Sequence, residues 1–150
     1  MSKYHLAEFN VALLQAPIDD PMMADFVVLL APVNALADAA PGFVWRLQGP
    51  KGDSTTFRMY GDEPVLVNMS VWEDIQPLMD YVYRASHLDV MRQKATWFEK
   101  TEGASYALWW IPAGEIPTPE EGKARLEYLK ANGPSQYAFT FPKPFPAPVE

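Results

Sequence analysis

The segment Val65–Trp72, which reads VLVNMSVW, decides the fold class of this chain. Successive residues alternate between two faces, and a period of two is typical of a β-strand. One face is wholly apolar, and it carries Val65, Val67, Met69 and Val71. The other face mixes polar groups with a tryptophan, and it carries Leu66, Asn68, Ser70 and Trp72. An apolar sheet face must be covered, so we expect a second copy of the chain to cover it.

Further elements follow on both sides of this strand. The patterns predict a strand over 4–14, a helix from Asp20-Pro21 to about Ala39, a strand over 43–47, a helix from Asp74 through His87 to Phe98, and a strand over 106–111. The order strand, helix, strand, strand, helix, strand predicts an α+β protein with a ferredoxin-like split βαβ arrangement. Its four-stranded antiparallel sheet would have both helices on one face.

Two features lie C-terminal to that arrangement. Thr118-Pro119-Glu120-Glu121 has the residues of a capping box and predicts an extra C-terminal helix that ends at Gly133. Prolines then alternate with other residues in a Pro-rich tail, at positions 142, 144, 146 and 148. Such spacing favours extended polyproline backbone. We therefore predict a single domain over 1–140 and a tail over 141–150, which is either an arm on a partner subunit or loosely held.

Composition excludes several kinds of function. The chain has no cysteine, which removes thiol catalysis and Cys-ligated metals. A formal charge of −7 disfavours nucleic acid as a partner. No metal-ligand spacing on one element, membrane-spanning run or export signal is apparent, so we expect a cytoplasmic protein without a metal site. Turn residues in 49–53 precede a short strand-like piece over 55–60.

Three stretches together resemble a known superfamily: YHLAEFNVALL near the start, VLVNMSVWEDIQPLMDYVYRASHLDVMRQKATWFE, and ALWWIPAG. They look like the dimeric α+β barrel superfamily, and within it a group of uncharacterised bacterial proteins related to antibiotic-biosynthesis monooxygenases and polyketide cyclases. The resemblance implies a homodimer with a small-molecule pocket between sheet and helices. The superfamily includes cofactor-free monooxygenases and cyclases of secondary metabolism, heme-degrading enzymes and proteins of no known activity, so fold does not fix function.

The two histidines of the chain are the first candidates for chemistry. His5 on the first strand and His87 on the second predicted helix could face one cavity, where histidine can transfer protons near neutral pH. In the superfamily's plant polyketide cyclase a strand histidine, a helical tyrosine and a helical histidine look similar, and His5, Tyr81 and His87 match them. Helical spacing makes Tyr83 and Arg84 neighbours of His87, and Arg84 could bind a carboxylate or phenolate. The structural alternative is a histidine bonded to a backbone carbonyl.

A second set of candidates lies on strands. Asn68 and Trp72 share one strand face and look like the Asn and Trp of the cofactor-free monooxygenases, in which Asn holds a substrate oxygen and Trp packs on a ring. Trp45 would complete this pocket. Asn10 is a further candidate, because an Asn in the first strand serves the heme-degrading relatives. Asn68 could instead only satisfy neighbouring backbone groups.

Three functional hypotheses remain open from the sequence. The leading one is a cofactor-independent cyclase or isomerase that acts by proton transfer on an aromatic or polyketide-like molecule, with His87 as base and His5 or Tyr81 assisting. The second is a monooxygenase of the same fold, either cofactor-free or with heme bound through His87. The third is a protein that binds a ligand without turning it over.

Overall fold

A four-stranded antiparallel sheet forms the centre of the protein. The computed structural model describes residues 3–49, 59–61, 63–88, 97–99 and 103–148. Its strands are β1 (Tyr4–Leu13), β2 (Phe43–Arg46), β3 (Val65–Trp72) and β4 (Tyr106–Pro112). They lie in the spatial order β2-β3-β1-β4, and every neighbouring pair is antiparallel. The α+β class and the antiparallel sheet predicted from the sequence are confirmed.

Three helices are described from end to end: α1 (Ala24–Asp38), which follows a 3-10 turn at Pro21–Met23, α2 (Ile75–Ala85) and α3 (Pro119–Asn132). Side-chain caps begin the 3-10 turn and α3 where the sequence predicts. Asp20 accepts from the backbone N–H of Met22 before α1, and Thr118 accepts from that of Glu121 in the first turn of α3. Each cap satisfies a backbone donor that a helix start leaves without a partner.

The second helix is shorter than the sequence predicts. α2 ends at Ala85, and Ser86 is its C-cap, so the expected continuous helix through His87 is wrong. The Ser86 hydroxyl donates to the Tyr83 carbonyl over 2.6 Å, which occupies an acceptor in the last turn. Serine competes with the helical backbone in this way. Residues 89–96, where the prediction continued, lie outside the described residues.

The apolar face of β3 is buried within the chain itself, next to β1 and β4, on which α3 packs. Val67, Met69 and Val71 belong to one buried cluster with residues of β1, β4 and α3, including Ala7, Phe9, Trp109, Leu126 and Leu129. Val67 and Val71 are fully buried within a single chain. The expectation that this face needs a second copy is therefore wrong, because sequence periodicity could not say where α3 would pack. Homodimer formation itself stays a prediction.

The other face of the sheet packs on α1 and α2. Leu14, Leu66, Met23 and Phe26 form one cluster towards the start of α1. Leu6, Trp72 and Leu78 form another with Leu108 and Phe139 under α2. Both helices of the split βαβ unit thus lie on one face, as predicted, and the site described below lies on that face between the two clusters.

The C-terminal segment packs on its own chain. Phe139 is fully buried and exchanges two backbone hydrogen bonds of 2.9 Å with Leu108 at the edge of β4. Further along, the Trp110 indole N–H donates to the Phe145 carbonyl over 2.8 Å. Phe139 lies just before the predicted tail and Phe145 within it, and the arm on a partner subunit stays a prediction.

Some predictions concern segments that are described only in part. The predicted turn over 49–53 and short strand over 55–60 fall mostly on residues 50–58, outside the described residues.

Pro21–Asp38 is 18 residues long with a mean hydropathy of 1.3, which by length and composition suffices to cross a membrane. Core helices pass the same test, and α1 contributes Phe26 and Ala37 to the protein interior.

Candidate functional site

A short row of polar side chains lies on the sheet face under α1 and α2. Glu8 is directly opposite Ser70 across the β1–β3 pair, and Asn10 is directly opposite Asn68 one rung along. All four side chains share the face that also carries Leu6, Leu66 and Trp72, because residues two apart on a strand point the same way. The apolar layer between the sheet and the helices α1 and α2 therefore contains polar side chains at two neighbouring cross-strand pairs.

Hydrogen bonds join these side chains into one row centred on Glu8. The Asn10 amide donates to Glu8 Oε1, and the Ser70 hydroxyl donates to Glu8 Oε2 over 3.0 Å. The Asn68 amide donates to Asn10 Oδ1 over 3.4 Å, and the Trp72 indole N–H donates to Ser70 Oγ over 2.9 Å. Each oxygen of the carboxyl group thus accepts from a neutral donor, and each of those donors is itself fixed by a second side chain.

Glu8 is the one charged side chain that is buried in the described part of the chain, with 9% of its surface exposed. Burial raises the pKa of its carboxyl group from 4.5 to about 7, against the hydrogen bonds from Asn10 and Ser70, which lower it. A buried carboxylate loses hydration, and neutral donors compensate only in part. A carboxyl group with a pKa near neutrality can both accept and release a proton under cellular conditions.

Tyr81 and Trp72 form the aromatic wall of this row. Their rings stack with centroids 5.1 Å apart at an interplanar angle of 29°, and the Tyr81 hydroxyl donates to the Val33 carbonyl of α1 over 3.4 Å. Burial, and next the charge of Glu8, raise the pKa of Tyr81 to about 12. Tyr81 therefore stays a neutral phenol at physiological pH, and it can donate a hydrogen bond but does not act as a base.

A cleft of about 140 Å³ lies outside this wall, between the end of α1 and α2. Tyr81 and Arg84 line it, together with Ala40, Pro41, Gln76, Pro77 and Asp80. Two of the substrate-binding or catalytic residues predicted from the sequence are thus brought together here. Tyr81 lines the cleft and also stacks on Trp72, whose indole donates to Ser70 in the polar row.

The two histidines do not face a common cavity. His5 belongs to the alternate set of β1 residues, with Ala7 and Phe9, on the side of the sheet that α3 covers. Its Nδ1 atom is buried and has no hydrogen-bond partner within the described residues. His87 follows α2 on the opposite side. The prediction that they cooperate across one pocket is wrong, because alternation along β1 points His5 through the sheet, away from α2.

His87 is an exposed residue at the C-terminal end of α2. Its Nδ1 atom lies 2.9 Å from the Tyr83 carbonyl oxygen, and the two rings make an edge contact with centroids 4.8 Å apart. The expected proximity of His87 and Tyr83 is confirmed. Tyr83 is itself 69% exposed, so this pair lies on the surface rather than in the wall of the polar row.

The candidate binding residues on the strands lie on both faces of the sheet. Asn68 and Trp72 share one strand face, as predicted, and the register brings Asn10 opposite Asn68, although the Trp72 ring is fully buried among core residues. Trp45 packs against the α3-side cluster instead, so its expected place beside Asn68 and Trp72 is wrong. A register shift between Phe43 and Trp45 breaks the alternation of β2, and a bulge of this kind re-aims the side chains that follow it.

Sequence reasoning missed Glu8 as a functional residue. One signal was present, since Glu8 shares the strand face of Asn10, and a carboxylate in the middle of a sheet strand requires partners. Its donors could not be identified without the register between β1 and β3. Within the described residues, no group of three His, Asp or Glu side chains is placed to hold a metal ion.

Several solved structures are similar to this chain at low sequence identity. A crystal structure of a protein of unknown function from Nitrosomonas europaea is similar, with 15% identity, a TM-score of 0.48, and coverage of 77% of this chain and 97% of that one. SnoaB, a cofactor-independent oxygenase from Streptomyces nogalater, gives 17% identity, a TM-score of 0.39, and coverage of 77% and 97%. A protein from Shewanella oneidensis is 9% identical, has a TM-score of 0.44, and the match covers 73% of this chain and 91% of that one.

Among curated proteins, none matches the chain. A family model described as a domain of unknown function (DUF3291) matches residues 5–150, which is nearly the whole length. The chain belongs to the DUF3291 family.

Proposed function

We propose that this protein is a small-molecule enzyme that transfers a proton within an aromatic or polyketide-like substrate without a cofactor, with Glu8 as the acid–base group. One observation carries the proposal: a buried carboxyl group is held by donors on both oxygens, in the middle of a polar row that is otherwise enclosed by apolar side chains. Glu8 replaces His87, the base expected from the sequence, because His87 is on the surface.

The residues around Glu8 support separate roles in such a reaction. Asn10 and Asn68 are half-buried, so a substrate oxygen can approach their amides more easily than it can approach Glu8. An amide can hold an oxygen on which charge develops as a proton is removed from a neighbouring carbon. Trp72 and Tyr81 supply a flat apolar wall suited to a planar ring.

Deuterium incorporation tests this proposal without knowledge of the natural substrate. Phloroglucinol and cyclohexane-1,3-dione carry activated C–H groups, and their exchange in D2O is followed by proton NMR. We expect the protein to accelerate exchange above the buffer rate, and Glu8→Gln to lose about 10²-fold or more of that acceleration. The conservative variant Glu8→Asp should retain part of it.

Matched variants control for unrelated losses. Glu73→Gln changes an exposed glutamate close to β3, and it should keep the full rate. His5→Ala and His87→Ala should each keep the rate within about twofold, since neither imidazole lies in the row. An unchanged rate in Glu8→Gln would exclude Glu8 as the base. Consumption of O2 during turnover would instead favour an oxygenase.

A further inference from the structure

The cleft between the end of α1 and α2 carries charges of both signs. Asp80 and Arg84 lie one helical turn apart on α2, and both side chains line the cleft. Opposite charges at this spacing are close enough to pair, but the Asp80 carboxylate accepts from the Gln76 amide over 2.9 Å instead. Among the described residues, neither Asp80 nor Arg84 takes part in an ion pair. Both charges therefore remain available to a ligand in the cleft.

One part of the lining suits a cation. α1 ends at Asp38, and Ala40 and Pro41 line the cleft just after it. The C-terminal end of a helix carries a partial negative charge, and α1 has no basic residue in its last turn. Asp38 itself pairs with Arg46, so that pair adds no net charge here. The end of α1 and the Asp80 carboxylate together favour an ammonium group in this part of the cleft.

Arg84 suits an anion. It is the basic residue in the last turn of α2, and its planar guanidinium can form two parallel hydrogen bonds to a carboxylate. Its side chain is exposed, so binding there does not require the burial of an isolated charge. A ligand with an ammonium group and a carboxylate would therefore place an opposite charge beside each charge of the cleft.

The cleft has room for only a few atoms. Its volume is about 140 Å³, and one water takes about 30 Å³ of the liquid, so the space corresponds to roughly five waters. The turn after α1 is tightly packed on α2, because a methyl group built on Gly42 would lie 2.5 Å from Pro77 Cβ. This contact keeps the cleft narrow and limits the ligand to about the size of glycine or alanine.

We propose that the cleft binds a small zwitterion, an amino acid of the size of glycine or alanine, with its ammonium group beside Asp80 and the end of α1 and its carboxylate on Arg84. The site is distinct from the polar row, because Glu8 does not line the cleft. Tyr81 links the two, since it lines the cleft and stacks on Trp72. Binding here does not depend on the proposed acid–base role of Glu8.

Amide NMR with added amino acids tests this site. L-Alanine or glycine, titrated into the 15N-labelled protein at neutral pH, should shift the backbone amides of Tyr81 and Arg84 and the Arg84 Nε–H, with a dissociation constant of about 1–10 mM. Acetate carries only the carboxylate, and methylammonium carries only the ammonium group. Each should bind about tenfold more weakly than alanine, because each matches one of the two charges.

Substitutions on α2 assign the two ends of the ligand. Arg84→Gln and Asp80→Asn should each weaken alanine binding about tenfold, whereas Arg84→Lys should retain part of it. Arg84→Gln should not weaken the binding of methylammonium, and Asp80→Asn should not weaken that of acetate. Both residues are exposed, so both variants should keep the fold.

Lys130→Gln is the matched control, because Lys130 is the basic residue in the last turn of α3, and it should bind alanine like the unaltered protein. The absence of shifts up to about 50 mM alanine would overturn the proposal. Equal affinities for acetate and alanine would also overturn it, since they would indicate a simple anion site. Glu8→Gln should bind alanine normally, so a negative deuterium assay and a negative titration are separate results.

Discussion

Gly122 of α3 lies directly on the ring of Phe9 in β1. A methyl group built on Gly122 would lie 2.7 Å from Phe9 Cγ, which is closer than real contacts of this kind. The helix can therefore approach the sheet here only because residue 122 has no side chain. This contact explains how α3 packs closely on β1 within one chain.

Replacement of Gly122 by alanine should destabilise the protein. A glycine in an exposed helix usually gains about 1 kcal/mol when changed to alanine, but the added methyl overpacks the Phe9 ring at a cost of about 1–3 kcal/mol. Urea unfolding should show a net loss in Gly122→Ala. The control Ala124→Gly lies on the exposed side of α3, and it should lose about 1 kcal/mol through propensity alone. A more stable Gly122→Ala would mean that α3 does not lie against Phe9.

Stability should fall as the pH rises through the titration of Glu8. The pKa of Glu8 is about 7 in the folded protein against 4.5 as its ordinary value. Between those values the folded state binds more protons than the unfolded state, so the free energy of unfolding decreases with pH, by about 3 kcal/mol in total. Below pH 4.5 this contribution of Glu8 to the free energy of unfolding is fully retained, and above about pH 7 it is lost. Urea titrations at pH 4.5 and pH 8 measure the difference.

Glu8→Gln should remove most of this slope and should be more stable than the unaltered protein at pH 8, because the amide has no charge to bury. Glu73→Gln should preserve the slope. If Glu8→Gln retained the full pH dependence, another group would be responsible for it.

Phe139 should be important for stability although it lies in the C-terminal segment. Its ring is fully buried with Leu6, Trp72 and Leu108. Phe139→Ala should cost about 3–5 kcal/mol, as other large-to-small changes in cores do. Pro144→Ala, at an exposed position nearby, should change the free energy of unfolding by less than about 0.5 kcal/mol. Equal effects of the two substitutions would show that the segment does not pack on β4.

A homodimer, if formed, should leave the apolar face of β3 unaffected. The chain itself already buries this face, so hydrogen exchange of the Val65–Trp72 amides should not depend on protein concentration. Sedimentation gives the mass over the same dilution series. Faster exchange in β3 as a dimer dissociates would place the subunit contact at this face and contradict its burial within one chain.

The sequence predicted the helices and strands better than it predicted which of them pack together. The alternation of Val65–Trp72 and the caps at Asp20 and Thr118 reflect local rules, and the structure confirms each of them. The end of α2 was missed because Ser86 uses its hydroxyl against the helix backbone, an outcome that apolar periodicity does not report.

The positions of candidate site residues were also predicted correctly where local rules sufficed and wrongly where long-range packing decided them. Asn68 and Trp72 were correctly placed on one face, because that follows from strand alternation, whereas the pairing of Asn10 with Asn68 depends on the register between β1 and β3. His5 was misplaced because its position depends on which sheet face α2 covers. Trp45 was misplaced because the register of β2 shifts between Phe43 and Trp45. Tyr81 and Arg84 share a cleft as expected, but that cleft lies on the outer side of the Tyr81–Trp72 stack.

The sequence by itself determined the α+β class, the strand faces and the helix starts, because these depend on residues near one another in the chain. Only the tertiary structure decided that the chain itself buries the apolar face of β3 and that Ser70 and Asn10 donate to Glu8. Those outcomes depend on register and packing between distant segments. The same long-range contacts bury Glu8, and burial gives an ordinary glutamate a pKa near neutrality.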